Sequence, residues 1–182
     1  MVIRFPRARA VAVALAVACV TPLFAVAVQA EQLFTYDNAG EVAGAAMSKP
    51  RFNQAVVGKT MRYCANLSPE LSVTAQDALQ NWTVRNEWSV GAADRLAADA
   101  RARFSASGPS VREEWEQVEK MMDAQVEVTS DLFVKQLEAI TMEKYRLKMC
   151  SQYVAVVNAG KFDVTAEADD PRIFELLSKH RK

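Results

Sequence analysis

Two cysteines, Cys64 and Cys150, constrain the fold of this chain more than any other sequence feature. The third cysteine, Cys19, lies in an N-terminal segment that has the layout of an export signal. Removal of that segment leaves two cysteines in an oxidising compartment, where a disulfide forms and persists. We therefore expect a Cys64–Cys150 disulfide, and the fold must bring the two Cα atoms within about 7 Å.

Residues 1–30 contain the three parts of a cleavable signal peptide. The basic start consists of Arg4, Arg7 and Arg9. An apolar stretch covers residues 10–28, and the small residues that a signal peptidase requires occur at 28–30. The segment predicts export, with periplasmic localisation.

We predict cleavage between Ala30 and Glu31. Two alternatives stay open at this point. The apolar stretch is long enough to be an uncleaved membrane anchor, and Cys19 follows small residues in a weak imitation of a lipoprotein site. Cleavage is favoured because the stretch is rich in alanine and ends in small residues. After cleavage we expect no membrane span.

The remaining segment, residues 31–182, has the size of one ordinary domain. Because the three arginines before residue 31 are removed, it carries 19 Lys and Arg against 22 Asp and Glu, a net charge of −3. Nucleic-acid binding requires concentrated positive charge. We therefore expect a single domain, 31–182, without a nucleic-acid partner.

Apolar residues recur at helical spacing along this segment. Residues 31–48 are ambiguous, and a first helix is predicted from Pro50, which suits a first helical turn. Ser68 and Pro69 predict the cap and first turn of a second helix that extends to about Ser105.

The sequence Ser107-Gly108-Pro109 predicts a sharp stop after the second helix. Ser110 and Glu113 then form a capping-box pattern for a third helix, whose apolar stripe continues to Gly160. Asp170-Pro171 predicts the cap of a last short helix. The expected fold is all-α: an antiparallel helical bundle built on a long two-helix hairpin, with a shorter N-terminal helix, a short C-terminal helix and one disulfide.

The two cysteines restrict how the long helices can break. In a hairpin that turns at Gly108, Cys150 lies level with Cys64, whereas a reversal of the third helix alone would separate them by roughly 50 Å at about 1.5 Å per residue. Either both long helices break, near Gly91 and Ser130, or neither does. We expect neither to break.

The same register predicts ion pairs along the hairpin. Arg101 is expected to face Glu114, and Arg95 is expected to face Glu119. Exposed pairs of this kind contribute only about 0–1 kcal/mol each.

The sequence offers little for catalysis. His180 is the only histidine and lies near the C-terminus, which argues against Ser-His-Asp or Cys-His catalysis. Both remaining cysteines are expected to be oxidised, and no spacing typical of a metal or haem site occurs. We predict no catalytic residue, metal ligand or cofactor.

One local string stands out as a possible recognition spot: Trp82, Arg85, Asn86 and Trp88. An aromatic anchor beside an arginine is typical of protein recognition. In the structural alternative, which we favour, Asn86 bonds neighbouring backbone, since a buried amide requires partners. Arg85 then packs on Trp82 or pairs with a carboxylate.

A pattern of Cys64, Pro69, Trp82-x-x-Arg85-Asn86 and a late cysteine resembles uncharacterised exported helical proteins of proteobacteria. The similarity covers residues 61–88 and the region around Cys150. It implies a periplasmic helical fold with a disulfide, and the group supplies no established activity to carry over.

Three functions remain open. The leading hypothesis is a non-catalytic, exported protein-interaction module that docks through the hairpin tip, at Leu96, Phe104, Trp115 and Met121, onto another periplasmic protein or a second copy. The alternatives are a carrier of a small apolar ligand or cofactor between helices, and a hydrolase-type enzyme that uses carboxylates.

Overall fold

A computed structural model describes residues 36–166 and 169–181, and this part of the chain contains helices and no strand. Its five helices are α1 (Ala39–Ala65), α2 (Pro69–Ala106), α3 (Pro109–Glu138), α4 (Glu143–Asn158) and α5 (Pro171–Lys179). The prediction of an all-α bundle is confirmed. The predicted signal peptide, its cleavage site and Cys19 lie outside the described residues.

Helix α1 begins at Ala39, so the predicted start at Pro50 is wrong. Asn38 caps the helix: its Oδ1 accepts a hydrogen bond from the backbone N–H of Glu41 at 3.0 Å. The Glu41 carboxylate in turn accepts from the backbone N–H of Asp37 at 2.8 Å. This reciprocal capping outweighs the two glycines of the first turns, and Pro50 lies inside the helix.

Helix α2 is continuous through Gly91, as expected. The Ser68 hydroxyl accepts a hydrogen bond from the Leu71 N–H at 3.2 Å, which confirms the predicted cap. Because only three residues join α1 to α2, the two helices pack antiparallel, and Arg51 Nε donates to Asp94 Oδ1 at 2.9 Å.

The third long helix does not continue to Gly160. It is unbroken at Ser130 but ends at Glu138, and α4 begins at Glu143. The apolar stripe omits one helical turn here, because Glu143 and Lys144 occupy the positions between Ile140 and Leu147. That gap lets Leu137 and Cys150 enter the core from two separate helices.

The predicted disulfide between Cys64 and Cys150 is present, with 5.5 Å between the Cα atoms. Both cysteines are fully buried. A cluster that we call the disulfide core surrounds them: Val57, Met61, Leu71, Ala75, Ala78, Trp82, Leu137, Val154 and Val157. It joins α1, α2, α3 and α4 at one end of the bundle.

A second cluster, the α5 core, fills the other end of α1 and α2. Its buried members are Val42, Ala46, Ala92, Ala93, Val164, Ile173 and Leu177. Asp170 caps α5 as predicted, since its side chain accepts from the Arg172 N–H at 2.9 Å. The buried Asp169 carboxylate forms an ion pair with Lys49 of α1.

The predicted ion pairs along the hairpin are wrong in register. Arg101 forms a two-bond pair with Glu119, at 3.0 and 2.7 Å, and Arg95 donates to the His180 carbonyl at 2.7 Å. The stacked rings of Phe104 and Trp115, 4.6 Å apart, align the two helices. Arg101, one turn before Phe104, therefore meets Glu119, one turn after Trp115.

The predicted capping box at the start of α3 is also absent. Gly108 precedes Pro109 with a φ of 122°, a conformation that glycine adopts without strain, and no side chain caps the helix. Pro109 has no N–H and therefore leaves one fewer donor to satisfy in the first turn. Ser110 lies inside that turn.

Candidate functional site

Three of the four residues predicted as a recognition spot bind the connection that follows α4. The indole N–H of Trp82 donates to the Phe162 carbonyl at 3.2 Å, and its ring is 1% exposed. Arg85 donates to the Val157 carbonyl and to Asp163 Oδ2, each at 2.8 Å. Both side chains therefore attach this connection to α2.

Asn86 completes this network from a buried position on α2. Its amide nitrogen donates to the Trp82 carbonyl at 3.1 Å and to Asp163 Oδ1 at 2.8 Å. Its amide oxygen accepts from the Val164 N–H at 3.3 Å. These contacts match the structural alternative, in which the amide bonds neighbouring backbone and Arg85 pairs with a carboxylate.

Trp88 lies on another face of α2, away from this network. Its ring meets Phe174 of α5 edge to face, with 5.6 Å between ring centroids. The guanidinium of Arg181 lies over the ring at 5.1 Å. Trp88 therefore packs α5 onto α2, with a cation–π contact at its outer face.

The hairpin end of α2 and α3 contains no buried residue. Ala97 is the last buried residue of α2, and Ser130 is the first of α3. We call the intervening segment, residues 98–129, the arm. Helices in bundles normally bury one apolar face. The arm buries none, so packing within one chain does not account for its exposed apolar side chains.

Three of the four predicted tip residues lie in the arm. Phe104 and Trp115 stack on each other, and Met121 is 64% exposed. Within the described residues, the buried indole N–H of Trp115 has no hydrogen-bond acceptor. Leu96, the fourth, packs against the α5 core and lies outside the arm.

The solvent face of α3 carries a stripe of side chains, of which only Met121 was predicted from the sequence. We call Val118, Met121, Gln125, Val128 and Leu132 the α3 stripe. All five are exposed and recur every three or four residues, which is the spacing of one helix face. The spacing was visible in the sequence, but it was not distinguished there from the apolar stripe expected to face the core.

The opposite side of α3 is attached to α1 by charge. Lys59 donates to Asp131 at 2.6 Å and pairs with Glu127 at 2.8 Å. Burial acts to lower the pKa of Lys59, but hydrogen bonds to both carboxylates outweigh it and the pKa is raised. The hydrogen bond from Lys59 lowers the pKa of Asp131.

A surface cleft of about 300 Å³ lies where the α1–α2 turn meets the break between α3 and α4. Its lining residues are Leu67, Thr141, Glu143, Arg146 and Leu147. Three of the five are polar or charged, whereas pockets for small apolar ligands are lined mainly by apolar side chains. The cleft therefore gives the carrier hypothesis no specific support.

Several carboxylates of the described chain form ion pairs with neighbouring basic side chains. Hydrogen bonds from Lys59, Arg172 and Lys179 lower the pKa of Asp131, Asp170 and Glu175, respectively. A general acid requires a carboxyl pKa that is raised instead. Within residues 36–166 and 169–181, no cluster of three His, Cys, Asp or Glu side chains could hold a metal ion.

No helix in the described part of the chain is long and apolar enough to cross a membrane.

Comparison with protein-family models, with curated proteins and with solved structures finds no match to this chain.

Proposed function

We propose that this protein is an exported, non-catalytic interaction module that binds another protein through the arm. The observation that carries the proposal is the contrast in burial along α3. Its C-terminal part contributes Leu137 to the disulfide core, while the arm exposes apolar side chains such as Met121 and Val128. Contiguous exposed apolar surface marks interaction sites in folded proteins.

Export to the periplasm is part of the same proposal. It is supported by the signal-like composition of residues 1–30 and by a buried disulfide, which persists in oxidising compartments. The Trp82 network supports a structural role for the other conspicuous aromatic site, because its polar groups bond the α4–α5 connection. The arm is therefore the better candidate for binding.

Site-specific photo-crosslinking in intact cells tests the proposal. A photoreactive amino acid at Met121 is compared with the same group at Val73 of α2, since the two side chains are 64% and 62% exposed. We expect discrete crosslinked products from position 121 and none from position 73. Equal labelling at the two positions, or none at either, would contradict the proposal.

A further inference from the structure

We propose that the partner of the arm is a second copy of this chain, which pairs with it through the α3 stripe as an antiparallel dimer. This inference rests on the proposed function, in which the arm binds a protein. It adds the identity of the partner, the helix that forms the contact and the direction in which the two helices run.

The composition of the α3 stripe favours a helix as the occupant. Its five residues, Val118 to Leu132 with Gln125 at the centre, alternate at intervals of three and four residues, which is the spacing of a two-helix seam. With its flanking residues the stripe covers 114–135, roughly 32 Å at about 1.5 Å per residue. Three heptads of another helix fit along it.

The charges at the two ends of the α3 stripe favour a second copy as the partner and an antiparallel arrangement of the two helices. Between Glu114 and Lys135 the exposed face carries no charge along the stripe, and these two residues, both exposed, bound it at opposite ends. In an antiparallel pair centred between Ala124 and Gln125, Glu114 of each copy faces Lys135 of the other. A parallel pair would place like charges together at both ends, which is unfavourable.

The same alignment also gives partners to the side chains between the two ends of the stripe. Met121 of each copy faces Val128 of the other. The dimer therefore contains this contact twice, and each contact buries two apolar side chains that are highly exposed in the monomer. Gln125 lies beside the twofold axis, where its amide donates to and accepts from its symmetry mate. Ala124, also near the axis, lets the two helices approach closely. An isologous contact of this kind closes at two copies.

Sedimentation equilibrium of the disulfide-bonded protein, purified after export, tests the pairing. We expect a monomer–dimer equilibrium. Glu114→Lys and Lys135→Glu should each raise the dimer dissociation constant about tenfold, because each creates two repulsive contacts. The double variant should return within about threefold of the unmodified protein.

Two matched variants control for charge and helix stability. Glu113→Lys and Lys120→Glu make the same charge changes on exposed positions of α3 off the stripe, and we expect no change in the dissociation constant. Met121→Glu should raise it by about a hundredfold, since the contact lies near the twofold axis. Circular dichroism of each variant verifies that the bundle is folded.

A protein that stays monomeric at all concentrations would overturn the second-copy proposal. So would a dimer that is insensitive to both single charge reversals, because that result excludes antiparallel pairing through α3. If crosslinks from Met121 join a different protein, the proposed function stands and the dimer is overturned. If Met121 forms no more crosslinks than Val73, the proposed function itself fails.

Discussion

Two faces of α3 near its C-terminal end show what the fold requires and what it leaves available. At the C-terminal end, Leu137 is 1% exposed within the disulfide core, while Leu132, five residues earlier, is 48% exposed. The same residue type on one helix is buried at one position and exposed at the other. Folding therefore uses the face of α3 that meets the disulfide core and leaves the face that carries the α3 stripe for another task.

The largest expected effect is loss of the disulfide. The Cys64→Ala/Cys150→Ala variant should lose about 4–5 kcal/mol of unfolding free energy, because the bond closes a long loop in the unfolded chain. Chemical unfolding of both proteins measures the difference. Reduction of the unmodified protein should give a similar loss. Equal unfolding midpoints for the variant and the oxidised protein would show that the disulfide is not the main constraint on the disulfide core.

Two leucine truncations on α3 test the difference between its buried and exposed faces. Leu137→Ala removes buried side-chain volume and should cost about 2–5 kcal/mol. Leu132→Ala removes the same atoms from an exposed site and should change stability by less than about 0.5 kcal/mol. Urea unfolding at low protein concentration measures both. Similar costs at the two positions would contradict the division of α3 into a buried face and an exposed one.

Asn86 tests the network that attaches the α4–α5 connection to α2. Asn86→Ala leaves Asp163 and the Val164 N–H without their amide partner, and we expect a loss of about 1–3 kcal/mol. The matched control is Asn81→Ala, an exposed position on the same helix. Thermal unfolding measures both, and an equal effect would argue that Asn86 has no special structural role.

The smallest expected effect depends on pH and concerns the link from α1 to α3. Because the folded pKa of Asp131 is depressed below 3.8, its pair with Lys59 contributes stability above that pH and loses it as the pH falls through the folded pKa. The raised pKa of Lys59 places the alkaline loss above pH 10.5. Between these limits the contribution is constant.

Lys59→Met removes this link. NMR titration should then show the pKa of Asp131 moving up toward 3.8. The stability difference between the variant and the unmodified protein should be present at pH 6 and vanish in acid. Lys120→Met, on the arm, serves as the control. An unchanged Asp131 pKa in the Lys59 variant would show that Lys59 is not its cause.

Local rules predicted the parts of this fold that depend on a few neighbouring residues. The caps at Ser68 and Asp170 and the turn at Gly108 follow from side-chain chemistry and backbone freedom. The disulfide followed from the cysteine count. The start of α1 was also predictable, since Asn38 and Glu41 have capping-box spacing, but two nearby glycines concealed it.

Tertiary packing decided what local rules could not. The break after Glu138 contains neither glycine nor proline, and only the missing apolar turn at Glu143 and Lys144 indicated it. The ion pair of Arg101 depended on how Phe104 and Trp115 stack, which no helical spacing specifies.

The candidate site was predictable in part. Phe104, Trp115 and Met121 were expected at the hairpin tip, but Val128 and Leu132 were not. Two stripes with the same spacing lie on different faces of α3, and the sequence alone does not say which one faces the core. The position of α1, attached through Lys59, makes that choice.

Hydrogen exchange at low and high protein concentration tests whether the α3 stripe meets a second copy while the rest of the bundle stays unchanged. We expect amides of residues 114–135 to exchange more slowly at high concentration and those of α1 and α4 to exchange at the same rate at both concentrations. Slower exchange in α1 or α4 without a change along the stripe would contradict this pairing.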